Sequence, residues 1–129
     1  MTLREVLHAH IPTLAPDSTF RDAVDKMDIY QFPALVVVDD DRRVLGVVTE
    51  GDLSRAVTDN GTLVSLSDEA AYKFASKEPE TMGPDRDIGE ALHHMLSKGL
   101  TILPIVEDER LSGLVLRVDL MQAILMDAQ

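Results

Sequence analysis

Residues 35–53 read LVVVDDDRRVLGVVTEGDL, and residues 103–120 repeat the pattern as LPIVEDERLSGLVLRVDL. Each copy has an apolar run, a short polar segment, a second apolar run and then an aspartate. Two apolar runs joined by a short polar segment are typical of a β-hairpin. The aspartates, Asp52 and Asp119, are followed by apolar residues at helical spacing. Each hairpin is therefore predicted to lead directly into a helix.

The repetition extends well beyond the hairpins. An offset of 68 residues aligns TLAPD at 13–17 with TMGPD at 81–85. After a deletion of one residue in the turn, an offset of 67 aligns Gly46 with Gly113. Internal repetition of this kind indicates that one structural unit occurs twice.

Each copy also predicts a helix before its hairpin. In the first copy, Thr19 is a candidate N-cap, and Asp22 stands at the acidic position of a capping box. Asp87 and Glu90 occupy the matching positions of the second copy. The first helix has apolar residues at i, i+3, i+4 and i+7, namely Phe20, Ala23, Val24 and Met27.

The predicted fold class is α+β, with two pseudo-symmetric β-α-β-β-α units packed through their sheets. Residues 1–57 form the first unit, residues 58–80 a linker with a short helix, and residues 81–129 the second unit. Half-chains of this size bury little apolar surface alone, which favours mutual packing.

Charge and composition exclude several classes of function. The 129 residues include 12 Lys and Arg against 23 Asp and Glu, a net charge of −11, so we expect no nucleic-acid partner. The longest apolar run, residues 32–38, is too short to span a bilayer, so no membrane partner is expected. The absence of cysteine excludes thiol catalysis and thiolate metal sites. We expect a soluble, cytoplasmic protein.

The last predicted helix carries more apolar residues than one core-facing stripe needs. Leu120 and Ile124 form one stripe, and Met121 and Leu125 form a neighbouring one. Two interpretations remain open. The residues form a single wide face toward the core, or the second stripe joins two copies into a homodimer.

The two hairpin stretches resemble the cystathionine β-synthase (CBS) domain, and the resemblance extends from about Leu3 to Leu125. A tandem pair of such domains is a Bateman module. The resemblance implies a regulatory binding module that is not an enzyme and requires no cofactor. It implies that AMP, ADP, ATP or S-adenosylmethionine binds in the cleft between the repeats. An unidentified protein partner, or a change in the dimer, would then report the binding.

The resemblance also implies which residues contact the ligand. Gly46-Val47-Val48-Thr49-Glu50-Gly51-Asp52 matches the family motif, in which the aspartate accepts the ribose hydroxyls and the threonine reaches the sugar or first phosphate. The opposite repeat would close the same site with Thr81, Met82, Leu103, Pro104 and Ile105.

A second, weaker site is implied around Asp119. Its remaining members would be Thr13, Leu14, Val36 and Arg117. Leu116 replaces the hydroxyl residue of the motif, so this site lacks one polar group. Arg117 either supplies a cation for a phosphate or is a solvated arginine at a strand end.

Other interpretations compete with the ligand role. An aspartate at a helix start also caps free amides and complements the helix dipole. Asp39-Asp40-Asp41 is either a hairpin turn or, in a remote alternative, the cation site of a phosphohydrolase; we expect no metal there. A further alternative is a constitutive dimerisation or docking module with degenerate ligand clefts.

Overall fold

The computed structural model describes residues 1–128, which divide into two compact units. The first-repeat unit comprises Pro12–Pro79. The second-repeat unit comprises Met1–Ile11 together with the chain from Glu80 onward. The first eleven residues therefore belong to the unit that the second repeat builds.

The first-repeat unit contains a four-stranded sheet. The strand order is β1-β2-β3-β4, in which β1 and β2 are parallel and the other neighbours are antiparallel. A short 3-10 helix, Ala71–Phe74, precedes the last strand. The elements are β1 (Thr13–Leu14), α1 (Phe20–Tyr30), β2 (Ala34–Val38), β3 (Val44–Thr49), α2 (Glu50–Asn60), α3 (Leu63–Leu66) and β4 (Ser76–Lys77).

The second-repeat unit repeats this plan with a smaller sheet. A 3-10 helix at Leu3–Glu5 is followed, from residue 88 on, by α4 (Ile88–Lys98), β5 (Ile102–Glu107), β6 (Arg110–Leu116) and α5 (Arg117–Asp127). The expected first strand is reduced to one parallel bridge between Met82 and Ile105. The predicted α+β class and both hairpins are confirmed. Within the described residues, no helix is long and apolar enough to cross a membrane.

Each unit has its own apolar core between its sheet and its helices. Strand β2 is buried along its whole length, as the β-branched run predicts. The most deeply buried large side chains of the two cores are Phe20, Leu14, Leu35, Val37 and Val48 in the first and Leu3, Met95, Leu103, Ile105 and Leu120 in the second.

The predicted helix starts agree with the structure in one repeat and in part in the other. Thr19 Oγ1 accepts a hydrogen bond from the Asp22 amide, and the Asp22 carboxylate accepts one from the Thr19 amide. These contacts lower the pKa of Asp22. Asp87 caps α4 through the amides of Gly89 and Glu90. The Glu90 carboxylate pairs with Arg86 instead of completing a capping box.

A short backbone segment, here called the arm, lies against a glycine in each hairpin. The arm of the first-repeat unit is β4, and the arm of the second-repeat unit lies within residues 1–11. In the first-repeat unit, β4 pairs with β3 at Gly46, and a Cβ placed there would lie 2.9 Å from the Ser76 carbonyl oxygen. In the second-repeat unit, a Cβ on Gly113 would lie 2.3 Å from the carbonyl oxygen of His8. The repeated glycine therefore allows the arm backbone to approach the sheet.

The N-terminal arm is also held by charge. The Arg4 guanidinium binds Asp85 through Nε at 3.1 Å and Glu107 through Nη2 at 2.5 Å. The hydrogen bond from Arg4 lowers the pKa of Glu107, and the same contact raises the pKa of Arg4. These groups are solvent-exposed, so the pairs orient the arm more than they stabilise the fold.

We predict that Gly113→Ala destabilises the second-repeat unit. The new methyl group meets both the His8 carbonyl and Leu7 Cδ1, at 2.8 Å from the latter, so the arm must move. Overpacking of this kind costs about 1–3 kcal/mol, measurable by urea unfolding. Gly83→Ala is the matched control, because its nearest neighbour would be 3.9 Å away. Equal stability of the two variants would contradict the described arm contact.

Candidate functional site

The junction between β3 and α2 places a carboxylate at the start of a helix. Thr49 is the N-cap, and its Oγ1 accepts a hydrogen bond from the Asp52 amide at 3.0 Å. Asp52 Oδ2 accepts one from the Thr49 amide at 2.9 Å. The Glu50 amide donates to the Pro33 carbonyl, which ties the junction to the residue just before β2. The capping role expected as an alternative for Asp52 is therefore present.

The other oxygen of Asp52 faces a cation. Asp52 Oδ1 lies 2.5 Å from Arg55 Nη2, one helical turn further along α2. The Asp52 side chain is only 11% exposed, whereas the Arg55 side chain is 70% exposed. A fixed carboxylate can accept hydrogen bonds from hydroxyl groups, and the exposed guanidinium beside it can pair with a phosphate.

The matching junction between β6 and α5 is built differently. Asp119 Oδ2 accepts a hydrogen bond from the Leu116 amide at 2.9 Å, but Leu116 has no hydroxyl to complete the capping box. His8 Nε2 of the N-terminal arm lies 2.9 Å from the same oxygen. The Asp119 carboxylate is therefore already bound within its own unit, by a side chain that the sequence analysis did not assign to a site.

The other members predicted for the second site in the first-repeat unit lie along two paired strands. Thr13 pairs with Val36 in the parallel ladder of β1 and β2, and Leu14 and Val36 are buried. The Thr13 carbonyl accepts a hydrogen bond from Lys26 Nζ at 2.7 Å. Arg117, assigned to the same site, is the exposed first residue of α5 in the second-repeat unit.

The residues predicted to complete the first site cluster within the second-repeat unit. The Met82 amide donates to the Pro104 carbonyl at 3.2 Å, and the Val106 amide donates to the Met82 carbonyl at 2.9 Å. Thr81 is exposed. Four of these residues are buried: Met82, Leu103, Pro104 and Ile105. Among these five residues, Thr81 therefore offers an exposed hydroxyl. The other four offer backbone groups and buried apolar side chains.

The acidic turn forms the end of the hairpin. Asp39 Oδ1 accepts hydrogen bonds from the amides of Asp41 and Arg43, both at 2.9 Å. An aspartate that bonds amides further along the chain stabilises a tight turn. Across residues 1–128, no group of three or more His, Asp or Glu side chains is arranged to hold a metal ion.

His8 is the residue that sequence reasoning missed. The offset of 68 that relates the repeats also aligns His8 with Ser76 and Leu3 with Ala71. Extending the alignment toward the N-terminus would have shown that residues 1–11 and the end of the linker are equivalent arms. Each arm pairs with the second strand of the neighbouring hairpin: His8 pairs with Leu114, and Ser76 pairs with Val47.

Comparison with known proteins agrees with this repeated architecture. The family model described as CBS domain matches residues 3–59 and again residues 71–126. The chain belongs to the CBS domain family. The predicted resemblance to a tandem pair is thereby confirmed, and the two matches include both arms.

The curated relatives of this CBS pair differ in length. An uncharacterised 17.7 kDa protein from Acidianus ambivalens is 28% identical over 122 residues, which cover 94% of this chain and 71% of that protein. A probable arabinose 5-phosphate isomerase from Haemophilus influenzae is 27% identical over 107 residues, covering 83% of this chain and 31% of the isomerase. This chain therefore spans less than a third of that enzyme.

Solved structures share the fold of the pair. The crystal structure of CBSX2 in complex with AMP has a TM-score of 0.86 and 20% sequence identity, and the match covers 99% of this chain and 98% of that chain. The TM-score, at so low a sequence identity, establishes the shared fold alone.

We predict that Thr49→Ala lowers the free energy of unfolding by about 1 kcal/mol, because α2 loses its N-cap oxygen. Thr49→Ser keeps that oxygen and should retain most of the stability. Urea unfolding of both variants measures the cap without any ligand. If both substitutions cost the same, the hydroxyl of Thr49 does not cap α2.

Proposed function

We propose that this CBS pair is a non-catalytic regulatory module that binds an adenosine-containing ligand: AMP, ADP, ATP or S-adenosylmethionine. The proposed ligand contacts are those that the family resemblance implies. In the first-repeat unit they are Thr49 and Asp52, and in the second-repeat unit they are Thr81, Met82, Leu103, Pro104 and Ile105. The module acts in the cytoplasm and needs no resident cofactor.

The observation that carries this proposal is the arrangement around Asp52. The backbone fixes one carboxylate oxygen, and the other is paired with the exposed end of Arg55. A ribose with two hydroxyl donors can replace the guanidinium on that oxygen, which leaves Arg55 available to a phosphate. In a protein of net charge −11, a local cation of this kind is needed beside any phosphate. The AMP complex of CBSX2, which shares the fold, supports the choice of ligand class.

The site at Asp119 is proposed to be the weaker one. Leu116 supplies no hydroxyl, and His8 already occupies the carboxylate at 2.9 Å. A ligand that binds this oxygen must compete with His8 for it, and that competition lowers its net affinity.

Ligand binding acts as a signal only if it favours one conformation or assembly over another. A coupling of about 1–3 kcal/mol is typical of regulatory sites. A change in domain orientation or in self-association is then read by a partner protein.

We predict that Asp52→Ala weakens the tightest adenosine ligand at least tenfold, because hydrogen bonds to a charged group contribute about 1.5–3 kcal/mol each. Calorimetry of the wild-type protein with AMP, ADP, ATP and S-adenosylmethionine identifies that ligand. Asp52→Asn keeps one oxygen acceptor and should show an intermediate affinity. Chromatography of the nucleotide after titration checks that it remains intact.

Asp17→Ala is the matched control, because it removes one negative charge from an exposed position. Its affinity should equal that of the wild type or rise slightly for an anionic ligand. Binding heat absent with all four compounds in the wild type would refute the proposal. Asp52→Ala binding as tightly as the wild type would refute the assigned site.

A second candidate function, constitutive dimerisation, is favoured by the outer face of α5. Val118, Met121, Leu125 and Met126 are 47–63% exposed, although all are large and apolar. The inner face of the helix is provided by Leu120 and Ala123, which are buried. The apolar residues of α5 thus form two faces, and exposed apolar patches of this kind mark interaction sites.

We predict that Met121→Glu or Leu125→Glu weakens self-association by about tenfold or more, because a charge must then be buried at the contact. Analytical ultracentrifugation over a concentration series measures the change. Gln122→Glu is the control, since it adds the same charge at an exposed polar position of α5. A wild-type protein that stays monomeric throughout would remove this candidate.

A further inference from the structure

The helices that precede the two hairpins carry a basic side chain at the same position. Lys26 is the seventh residue of α1 and His94 is the seventh residue of α4, and the offset of 68 pairs them. Lys26 Nζ donates to the Thr13 carbonyl at 2.7 Å. His94 Nε2 lies 3.2 Å from Glu80 Oε2. In each repeat this side chain therefore contacts the segment that carries a candidate ligand threonine, at Thr13 itself or one residue before Thr81.

The backbone holds the two threonine segments differently. Thr13 pairs with Val36 in the parallel ladder of β1 and β2. By the offset of 68, Pro104 corresponds to Val36. A proline has no backbone N–H, so it cannot donate to a neighbouring strand at this position. In the part of the chain that the structure describes, the second repeat accordingly has a single bridge at Met82, where the first has a two-residue strand.

Thr81 lies between a backbone contact and a side-chain contact. The amide and the carbonyl of Met82, the next residue, both bond to β5. On the other side of Thr81, the Glu80 carboxylate meets His94 of α4. The side chain of His94 is 27% exposed and that of Glu80 is 45% exposed, so water shields the pair only in part. Both neighbours of Thr81 are therefore held, one by a strand and the other by a helix.

We propose that His94 is a positioning residue, which through Glu80 holds the backbone of Thr81 so that its hydroxyl is placed for a ligand. This rests on the proposed function, because Thr81 is one of the ligand contacts assigned there. His94 itself does not touch the ligand. A contact residue that is held before binding needs less ordering by the ligand, which raises the affinity. Lys26 holds Thr13 in the same way, so one helix position serves both repeats with different chemistry.

The first repeat supplies the conservative variant for a test. His94→Lys introduces the residue that α1 has at this position and keeps a hydrogen-bond donor for Glu80. His94→Ala removes the donor. His93→Ala and His93→Lys are the matched controls, because His93 is the exposed neighbour on the same helix.

The first measurement is amide hydrogen exchange in the free protein, followed by NMR. His94→Ala should accelerate exchange at Met82 about threefold or more, the size expected for loss of a partly exposed pair. Val115, which pairs with Leu103 in the hairpin, is the reference, because a general loss of stability accelerates both amides. His94→Lys should restore the rate at Met82, and both His93 variants should leave it unchanged. Equal acceleration at Met82 and Val115, or none at Met82, would overturn the proposal.

The second measurement is calorimetry with the tightest of the four adenosine compounds. His94→Ala should weaken binding about three- to fivefold. His94→Lys should recover the affinity of the wild type, after correction for the effect of the same charge in His93→Lys. In a Thr81→Ala background, His94→Ala should cause no further loss, because the two changes act on one interaction. Additive losses would show that His94 acts elsewhere and would overturn the positioning role.

The two proposals fail in different ways. Binding heat absent with all four compounds in the wild type refutes the proposed function and the ligand role of His94 with it, while the exchange rates still decide whether His94 holds the segment. Wild-type affinity in His94→Ala, together with clear binding heat, refutes the positioning role alone. The assignment of Asp52 is then unaffected.

Discussion

The contact between an arm backbone and a hairpin glycine is the constraint on which the second-repeat unit depends. Gly113 allows the His8 carbonyl to approach its Cα, and the backbone of His8 bonds Leu114 in both directions, at 2.9 and 3.1 Å. This bridge fixes where the His8 side chain begins, and the imidazole then reaches Asp119. A backbone requirement of the fold thus brings a hydrogen-bonding partner to Asp119, a candidate ligand contact. Gly46 and Ser76 make the equivalent backbone contact in the first-repeat unit, where no imidazole follows from it.

The two repeats therefore share a backbone and differ in chemistry. At the strand–helix junction, the first repeat has a threonine hydroxyl and the second has Leu116. The partner of the carboxylate is Arg55 in one and His8 in the other. A repeated fold thus supplies two similar positions, and separate side chains give each its own hydrogen-bonding groups.

The sequence was sufficient to predict the hairpins, the main helices and the Thr19 cap, because their signals are local: paired apolar runs joined by a short polar segment, helical spacing and a hydroxyl before an acid. The arms were missed because 3-10 helices such as Leu3–Glu5 are too short to show a period. Their pairing also joins residues far apart in the chain, so no local pattern records it. Thr49 was assigned to the ligand site, and its capping contact follows from the position at which β3 ends and α2 begins.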